Sequence, residues 1–128
     1  MFKLSRAGEY ALRGLIYIAG QKGGDTVGIN CIARKQNIPE AFLVKVFGKL
    51  TTCGIIRSKR GKRGGFVLCR PPEDISLYDV LTAVEGDIQF NDCVFCENSK
   101  TCKISRVWTA ARDGMLGVLK KKNVRDLV

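Results

Sequence analysis

Three of the six cysteines lie within ten residues of one another, at Cys93, Cys96 and Cys102. Thiolates are soft ligands for iron–sulfur clusters and zinc, and three so close in sequence can hold one metal centre without distant parts of the chain. Structural zinc has four closed ligands, often on two Cys-x-x-Cys arms, whereas this chain has one such arm. The spacing therefore favours an iron–sulfur cluster. Zinc and metal-free thiol sensing are the alternatives.

Positive charge is concentrated in the first half of the chain. Residues 1–70 carry 14 Lys and Arg against 3 Asp and Glu, a net charge of +11, whereas residues 71–128 carry 8 against 9, a net charge of −1. This asymmetry indicates a polyanion bound by the first half, most often nucleic acid, although a merely solvated basic surface would give the same count.

Several classes of protein are disfavoured by what the sequence lacks. It has no histidine, and no paired-carboxylate or nucleophile motif replaces it, so we expect no enzymatic activity. The N-terminus lacks the apolar core of a signal peptide, and no stretch approaches the roughly 20 apolar residues of a membrane span. These features predict a cytoplasmic protein without a membrane partner. Because thiols are mostly reduced there, metal binding or redox chemistry is a better interpretation of the cysteines than disulfides.

The elements predicted in residues 1–70 occur in the order of a winged helix-turn-helix, a mainly α (α+β) fold. Helices are predicted over residues 4–21, 29–36 and 39–53. Their ends carry suitable residues: Ser5 as an N-cap, Asn37 in a left-handed turn, Pro39 in a first turn and Gly54 past an end. Two β-prone runs, residues 55–58 and 66–69, flank a basic glycine-rich loop and predict a hairpin wing. The other cysteines, Cys31, Cys53 and Cys69, fall on helix and strand positions, where cysteine usually acts as a small buried hydrophobe.

Residues 71–128 are predicted to form a sensor and dimerisation region. Ser76 caps a helix over residues 77–84, and the cysteine loop occupies residues 88–103. A long helix follows over about residues 104–122, roughly 28 Å at the usual rise per residue. Its apolar positions step by four and three residues, which favours a heptad seam with a twin helix over packing only within its own chain. The predicted interface residues are Ile104, Trp108, Ala111, Met115, Val118 and Leu119.

The basic half offers two candidate contacts with double-stranded DNA. The second helix of a helix-turn-helix enters the major groove, and a slender basic loop fits the minor groove. On the helix, the predicted contacts are Glu40, Ala41, Phe42 and Lys45, with Lys49 as a phosphate contact; Phe42 is equally compatible with buried core. On the wing they are Lys59, Arg60, Lys62 and Arg63, with Arg60 as the residue that inserts into the groove.

Five segments together resemble the bacterial winged-helix regulators of the IscR, NsrR and CymR type, the Rrf-two family. They are residues 4–13 (LSRAGEYALR), 38–43 (IPEAFL), 60–66 (RGKRGGF), 75–80 (ISLYDV) and the cysteine loop. The resemblance covers nearly the whole chain. It implies a homodimeric transcription regulator, usually a repressor, whose cysteine loop often binds an iron–sulfur cluster. It also implies that Arg60 is the wing arginine and that the recognition helix reads DNA through Ala41, Phe42 and Lys45.

The chain departs from the pattern of the iron–sulfur members in two ways. Those members usually separate the first two cysteines by several more residues than the two between Cys93 and Cys96. The IscR-like histidine ligand is replaced by Ser105. The NsrR-like resemblance implies instead a carboxylate from the partner subunit, which corresponds to Glu9, although Glu9 is equally compatible with a surface charge. Cluster type, 2Fe–2S or 4Fe–4S, stays open, and the CymR-like members imply a metal-free regulator controlled by thiol oxidation or a partner protein.

Overall fold

The computed structural model describes residues 3–61, 64–88 and 102–128, and within them it is mostly helical. The helices are α1 (Arg6–Ala19), α2 (Ile29–Gln36), α3 (Glu40–Thr52), α4 (Leu77–Glu85) and α5 (Lys103–Lys121). An antiparallel hairpin of β1 (Ile56–Lys59) and β2 (Gly65–Leu68) follows α3, and short 3-10 turns occupy Lys22–Gly24, Pro72–Asp74 and Val124–Leu127. The predicted fold, helix-turn-helix followed by a hairpin wing and a long C-terminal helix, is confirmed. No helix in the described ranges is long and apolar enough to cross a membrane.

Local capping chemistry sets the helix boundaries. The Ser5 hydroxyl accepts a hydrogen bond from the Gly8 amide at 3.0 Å, and α1 begins two residues later than predicted because that cap fixes its start. Ser76 and Asp79 form a reciprocal capping box at the start of α4. Between α2 and α3, Asn37 has a φ of 53°, the left-handed conformation that turns the chain from one helix into the next.

The wing is attached to the rest of the fold by a third, very short extended segment. Val27 exchanges two backbone hydrogen bonds with Phe66 of β2, at 3.2 and 2.8 Å. A Cβ atom on Gly65 would lie 2.5 Å from the backbone of Val27, so only glycine permits this close approach. A single bridging residue has no periodic pattern, and the sequence therefore did not indicate it.

The core joins the two regions of the chain. Phe47 of α3 is 1% exposed, and the centre of its ring lies 5.0 Å from the centre of the Phe66 ring in an edge-on contact. A Cβ on Gly14 of α1 would come within 2.7 Å of the same ring, so the glycine makes room for it. Buried residues of α4, of the segment just before it and of the last turn belong to this core as well: Ile75, Val80, Val84 and Val124. The core is continuous across residue 70, so the two regions share one core, and the predicted division of roles between them stays a prediction.

The C-terminal turn packs back against the start of α4. The Val124 amide donates to the Ile75 carbonyl and the Leu77 amide to the Lys122 carbonyl, both at 2.9 Å. Val124 is completely buried. The sequence showed the end of the long helix within one residue but gave no sign that the turn after it contributes to the core.

Candidate DNA-binding surface and cysteine site

Helix α3 buries one face and presents the other to solvent. Leu43, Val46, Phe47 and Leu50 form the inward stripe and are buried in the core. The outward face carries the predicted contacts Glu40, Ala41, Phe42 and Lys45, all exposed. Val44 is exposed beside them, and a valine that falls outside the inward stripe was the available signal for it. An apolar side chain here suits a thymine methyl group.

Phe42 is neither free on the surface nor part of the core. It is 38% exposed, and its ring packs edge-on against Tyr10 of α1 at 5.4 Å. This contact fixes one side of the ring and leaves the other accessible to a ligand.

The two lysines on the outer part of α3 have different surroundings. In the described part of the chain, no carboxylate lies within ion-pair distance of Lys45. The Lys49 ammonium donates to the Val84 carbonyl at the end of α4, at 3.1 Å. A cation at the negative end of a helix dipole is stabilising by about 0.3–1 kcal/mol. Lys49 therefore joins α3 to α4, and its predicted phosphate contact stays a prediction.

The wing presents its cations to solvent. Lys59 and Arg60 are exposed, and Gly61 has a φ of 133°, a backbone conformation that suits glycine. No carboxylate among the described residues pairs with either cation. Lys62 and Arg63 lie outside the described residues. The arrangement leaves Lys59 and Arg60 available for an anionic ligand.

The cysteine site is described at one of its three predicted ligands. Cys102 is half-buried and is the N-cap of α5, while Cys93 and Cys96 lie outside the described residues. Within the described ranges no group of three or more Cys, Asp or Glu is placed to hold a metal ion. The Cys102 thiol makes no capping hydrogen bond, and Lys103 and Arg106 follow it in the first turn. A half-buried sulfur without a capping hydrogen bond, at the end of the segment that carries the other two predicted cysteines, fits a ligand of a cluster site.

Glu9 lies on the exposed side of the first turns of α1. Its carboxylate is 3.5 Å from the Arg13 guanidinium, one helical turn further on. Such an exposed pair contributes about 0.3–0.5 kcal/mol, little enough to be exchanged for another partner. Its predicted role as a ligand contributed by the partner subunit stays a prediction.

The remaining cysteines are more exposed than expected. Cys53 and Cys69 are exposed because they follow the ends of α3 and β2 and do not lie within them, so the prediction of buried positions is wrong for both. Cys31 is half-buried, and its sulfur lies 3.8 Å from the Tyr17 hydroxyl. This hydrogen bond, together with desolvation, raises the pKa of Tyr17 above its ordinary value.

Helix α5 packs its second half against its own subunit and leaves other residues of the same broad apolar face exposed. Met115 and Leu119 line a small cavity with Leu4 and Leu81, and Leu116 is buried. Ile104 is 67% exposed and Val107 is 66% exposed; five exposed apolar residues on this face, which we call the α5 stripe, are Ile104, Val107, Trp108, Ala111 and Val118. The predicted interface set thus contains two residues, Met115 and Leu119, that pack in their own chain. It omitted Val107, whose spacing of three from Ile104 and four from Ala111 was the available signal.

Comparisons with known proteins place this geometry among regulators. The family model described as Rrf2, iron-dependent transcriptional regulator, matches residues 4–128. The transcriptional regulator NsrR of Bacillus subtilis is 34% identical over 131 residues, which cover 98% of this chain and 90% of that protein. The solved structure of CymR, the global cysteine regulator of B. subtilis, has a TM-score of 0.79 at 29% identity and covers 99% of this chain and 96% of its own. For IscR of T. potens the TM-score is 0.81 at 27% identity, with 98% and 85% covered.

Proposed function

The chain belongs to the Rrf2 family of transcriptional regulators. On this premise we propose that it is a homodimeric repressor whose affinity for operator DNA is controlled by an iron–sulfur cluster. The predicted family and the predicted role in DNA-binding transcription regulation are confirmed by the family match. Repression, dimerisation and the cluster are the proposal. The observation that carries it is that one chain combines a candidate DNA-binding surface with a candidate cluster ligand. Helix α3 and the wing present exposed apolar side chains and cations without carboxylate partners among the described residues, and a cysteine lies at the start of α5.

Each subunit reads one half-site. The first turns of α3 lie in the major groove, where Glu40 accepts from cytosine and Ala41, Phe42 and Val44 contact thymine methyl groups. Lys59 and Arg60 follow the backbone into the neighbouring minor groove, which attracts arginine through its negative potential. Phosphate contacts position the protein, and base contacts specify the sequence.

The homodimer forms through the α5 stripe. The stripe runs from Ile104 to Val118 and leaves large apolar side chains in water, which a second copy of the same helix would cover. Gly114 and Gly117 lie on the same helix with open space where a Cβ would be, so no described residue of the subunit fills the positions beside them. A two-fold dimer places the recognition helices on half-sites about one helical turn of DNA apart.

Cys93, Cys96 and Cys102 hold the cluster, and a carboxylate from Glu9 of the other subunit completes the ligand set. The cluster supplies a centre that small oxidants or nitric oxide can alter. A carboxylate is a harder and weaker ligand than a thiolate, so this set is labile, as a sensor requires. The family description as iron-dependent supports a metal at this site.

A second candidate is a metal-free regulator controlled by thiol oxidation or by a partner protein. It is supported by the similarity to CymR, which is described as a global cysteine regulator. A zinc-binding regulator is a third and weaker alternative, because only one Cys-x-x-Cys arm is present.

The cluster is tested by anaerobic reconstitution with iron and sulfide, followed by absorption and paramagnetic resonance spectra. We expect a coloured protein containing iron and sulfide, and we expect loss of the spectrum in Cys93→Ala, Cys96→Ala and Cys102→Ala. Cys53→Ala is the matched control, since Cys53 is an exposed thiol outside the loop and should leave the spectrum unchanged. A colourless wild-type protein contradicts the cluster. In the same series, an unchanged spectrum and lifetime for Glu9→Ala would exclude that carboxylate as a ligand.

The wing is tested with Arg60→Ala on a DNA site selected from random-sequence pools. We expect the variant to lose affinity for the selected site by about 5- to 150-fold, the range of 1–3 kcal/mol for a lost base contact, and to lose little on random DNA. Fluorescence anisotropy at matched salt measures both. The control is Arg125→Ala, which removes an arginine of the last turn. The Arg125 guanidinium pairs with Glu73. Equal losses on both DNAs would make Arg60 a phosphate contact only.

A further inference from the structure

The last residues before the cysteine-bearing segment are held by three other helices. This stretch, residues 84–88, is called here the α4 end. The Ser5 hydroxyl at the start of α1 donates to the Glu85 carboxylate. Lys49 of α3 donates to the Val84 carbonyl at 3.1 Å. Arg112 of α5 donates to the Ile88 carbonyl at 2.7 Å and lies 3.7 Å from Asp87. The side chains that hold the α4 end therefore come from the recognition helix, the stripe-bearing helix and the N-terminal helix at once.

The chemistry of a helix terminus explains why this stretch can be held from outside. The last carbonyls of a helix have no partner within it, so the Val84 oxygen is free to accept from a side chain. The chain leaves α4 at Gly86, whose φ of 80° takes it out of helical geometry. Beyond that point Arg112, half-buried between α5 and α4, holds the Ile88 carbonyl. Beyond Glu85, the position of the α4 end is thus defined by side-chain contacts and not by helix propagation.

The two lysines on the outer part of α3, Lys45 and Lys49, differ in their contacts. Lys45 extends from the outward face without a carboxylate partner in the described residues, whereas the Lys49 ammonium is occupied by the Val84 carbonyl. A displacement of the α4 end would lengthen or break that bond. It would then alter how α3 sits on the fold, because Lys49 is an anchor on its second half.

We infer that Lys49 and Arg112 are positioning residues that couple the cysteine loop to the recognition helix through the α4 end. The inference rests on the proposed function only for the signal that displaces the α4 end. The coupling itself depends on contacts within the polypeptide and needs no cluster. Arg112 transmits a displacement of the α4 end to α5, and Lys49 transmits the same displacement to α3. A change at the loop thereby alters both the reading helix and the helix that sets the distance between two subunits.

Coupling between two sites is reciprocal, and this gives a test that needs no cluster. Hydrogen exchange followed by mass spectrometry on cluster-free, DNA-free protein compares Lys49→Met, which keeps the aliphatic stem, with Lys45→Met on the same helix. We expect Lys49→Met to speed exchange at residues 82–88 by about fivefold or more, the effect of losing a hydrogen bond to a charged group, and Lys45→Met to leave it unchanged. We also expect Arg112→Gln to speed exchange in the second half of α3, which Arg112 does not touch. If Arg112→Gln changes exchange only at residues 84–88, the coupling is overturned.

A second measurement separates coupling from a phosphate contact. Operator affinity is compared for cluster-loaded and cluster-free protein, and we expect the ratio of the two to fall toward one in Lys49→Met. If Lys49→Met instead weakens both forms and random DNA equally, with a salt slope smaller by about one, Lys49 contacts phosphate and the inference fails. If wild-type protein shows no cluster, the proposed function fails, and the exchange experiment still decides the inference.

Discussion

Replacing Val107 with aspartate is expected to give a monomeric protein that has lost at least about 100-fold in affinity for a two-half-site operator. Val107 belongs to the α5 stripe, between Ile104 and Ala111, and is one of its most exposed apolar side chains. In the dimer, the substitution would bury a carboxylate without a partner, which strongly disfavours association. A monomer then binds each half-site alone and loses the gain of about 10²–10⁴ that linking two binding events provides.

Light scattering coupled to size-exclusion chromatography measures the mass, and anisotropy with one- and two-half-site DNA measures the affinity. The matched control is Val128→Asp, which places the same charge at an exposed valine outside the stripe and should leave both unchanged. A Val107→Asp protein that remains a dimer would show that the stripe does not form the subunit interface.

Replacing Phe47 with alanine is expected to lower the free energy of unfolding by about 3–5 kcal/mol, a large share of the 5–15 kcal/mol that a domain usually has. The ring fills the space between Gly14 of α1 and Phe66 of β2, so its removal opens a cavity where the first helix, the recognition helix and the wing meet. Urea denaturation followed by circular dichroism gives the change.

The control for this substitution lies five residues earlier on the same helix. Phe42→Ala removes the same phenyl group, but Phe42 is 38% exposed and its ring contacts that of Tyr10 edge-on. We expect it to cost only about 0.5–1.5 kcal/mol in stability and to weaken DNA binding instead. Similar losses of stability in the two variants would contradict the placement of Phe47 in the core and Phe42 on the surface.

Local signals in the sequence predicted most of the helices and the hairpin. Ser5, Asn37 and Ser76 lie where a cap or a left-handed turn is needed, and such residues act on their immediate neighbours only. For that reason the bounds of α2 were predicted without error, and those of α4 and α5 within one residue.

Features that depend on distant parts of the chain could not be predicted in the same way. The bridge from Val27 to Phe66 joins residues 39 positions apart through one pair of backbone groups. The contact of Lys49 with Val84 depends on how α3 and α4 cross. Helix α5 packs against its own subunit and, as proposed, against a second copy through neighbouring positions of one apolar face. A single heptad seam therefore could not separate the residues that serve each contact. Two of the three predicted cysteine ligands lie outside the described residues, so that set stays a prediction.

The order of the wing sheet bears on solubility as well as on DNA. Val27 contacts β2 on the side away from β1, so β1 is an edge strand with no further strand beside it among the described residues. Unpaired edges invite other chains to add strands, and lysine or arginine on such an edge discourages it. Arg57 and Lys59 are exposed on β1 and provide this protection. The charge that suits the wing to a phosphate backbone therefore also guards against aggregation through strand addition, so that the α5 stripe is the surface through which we propose that two copies associate.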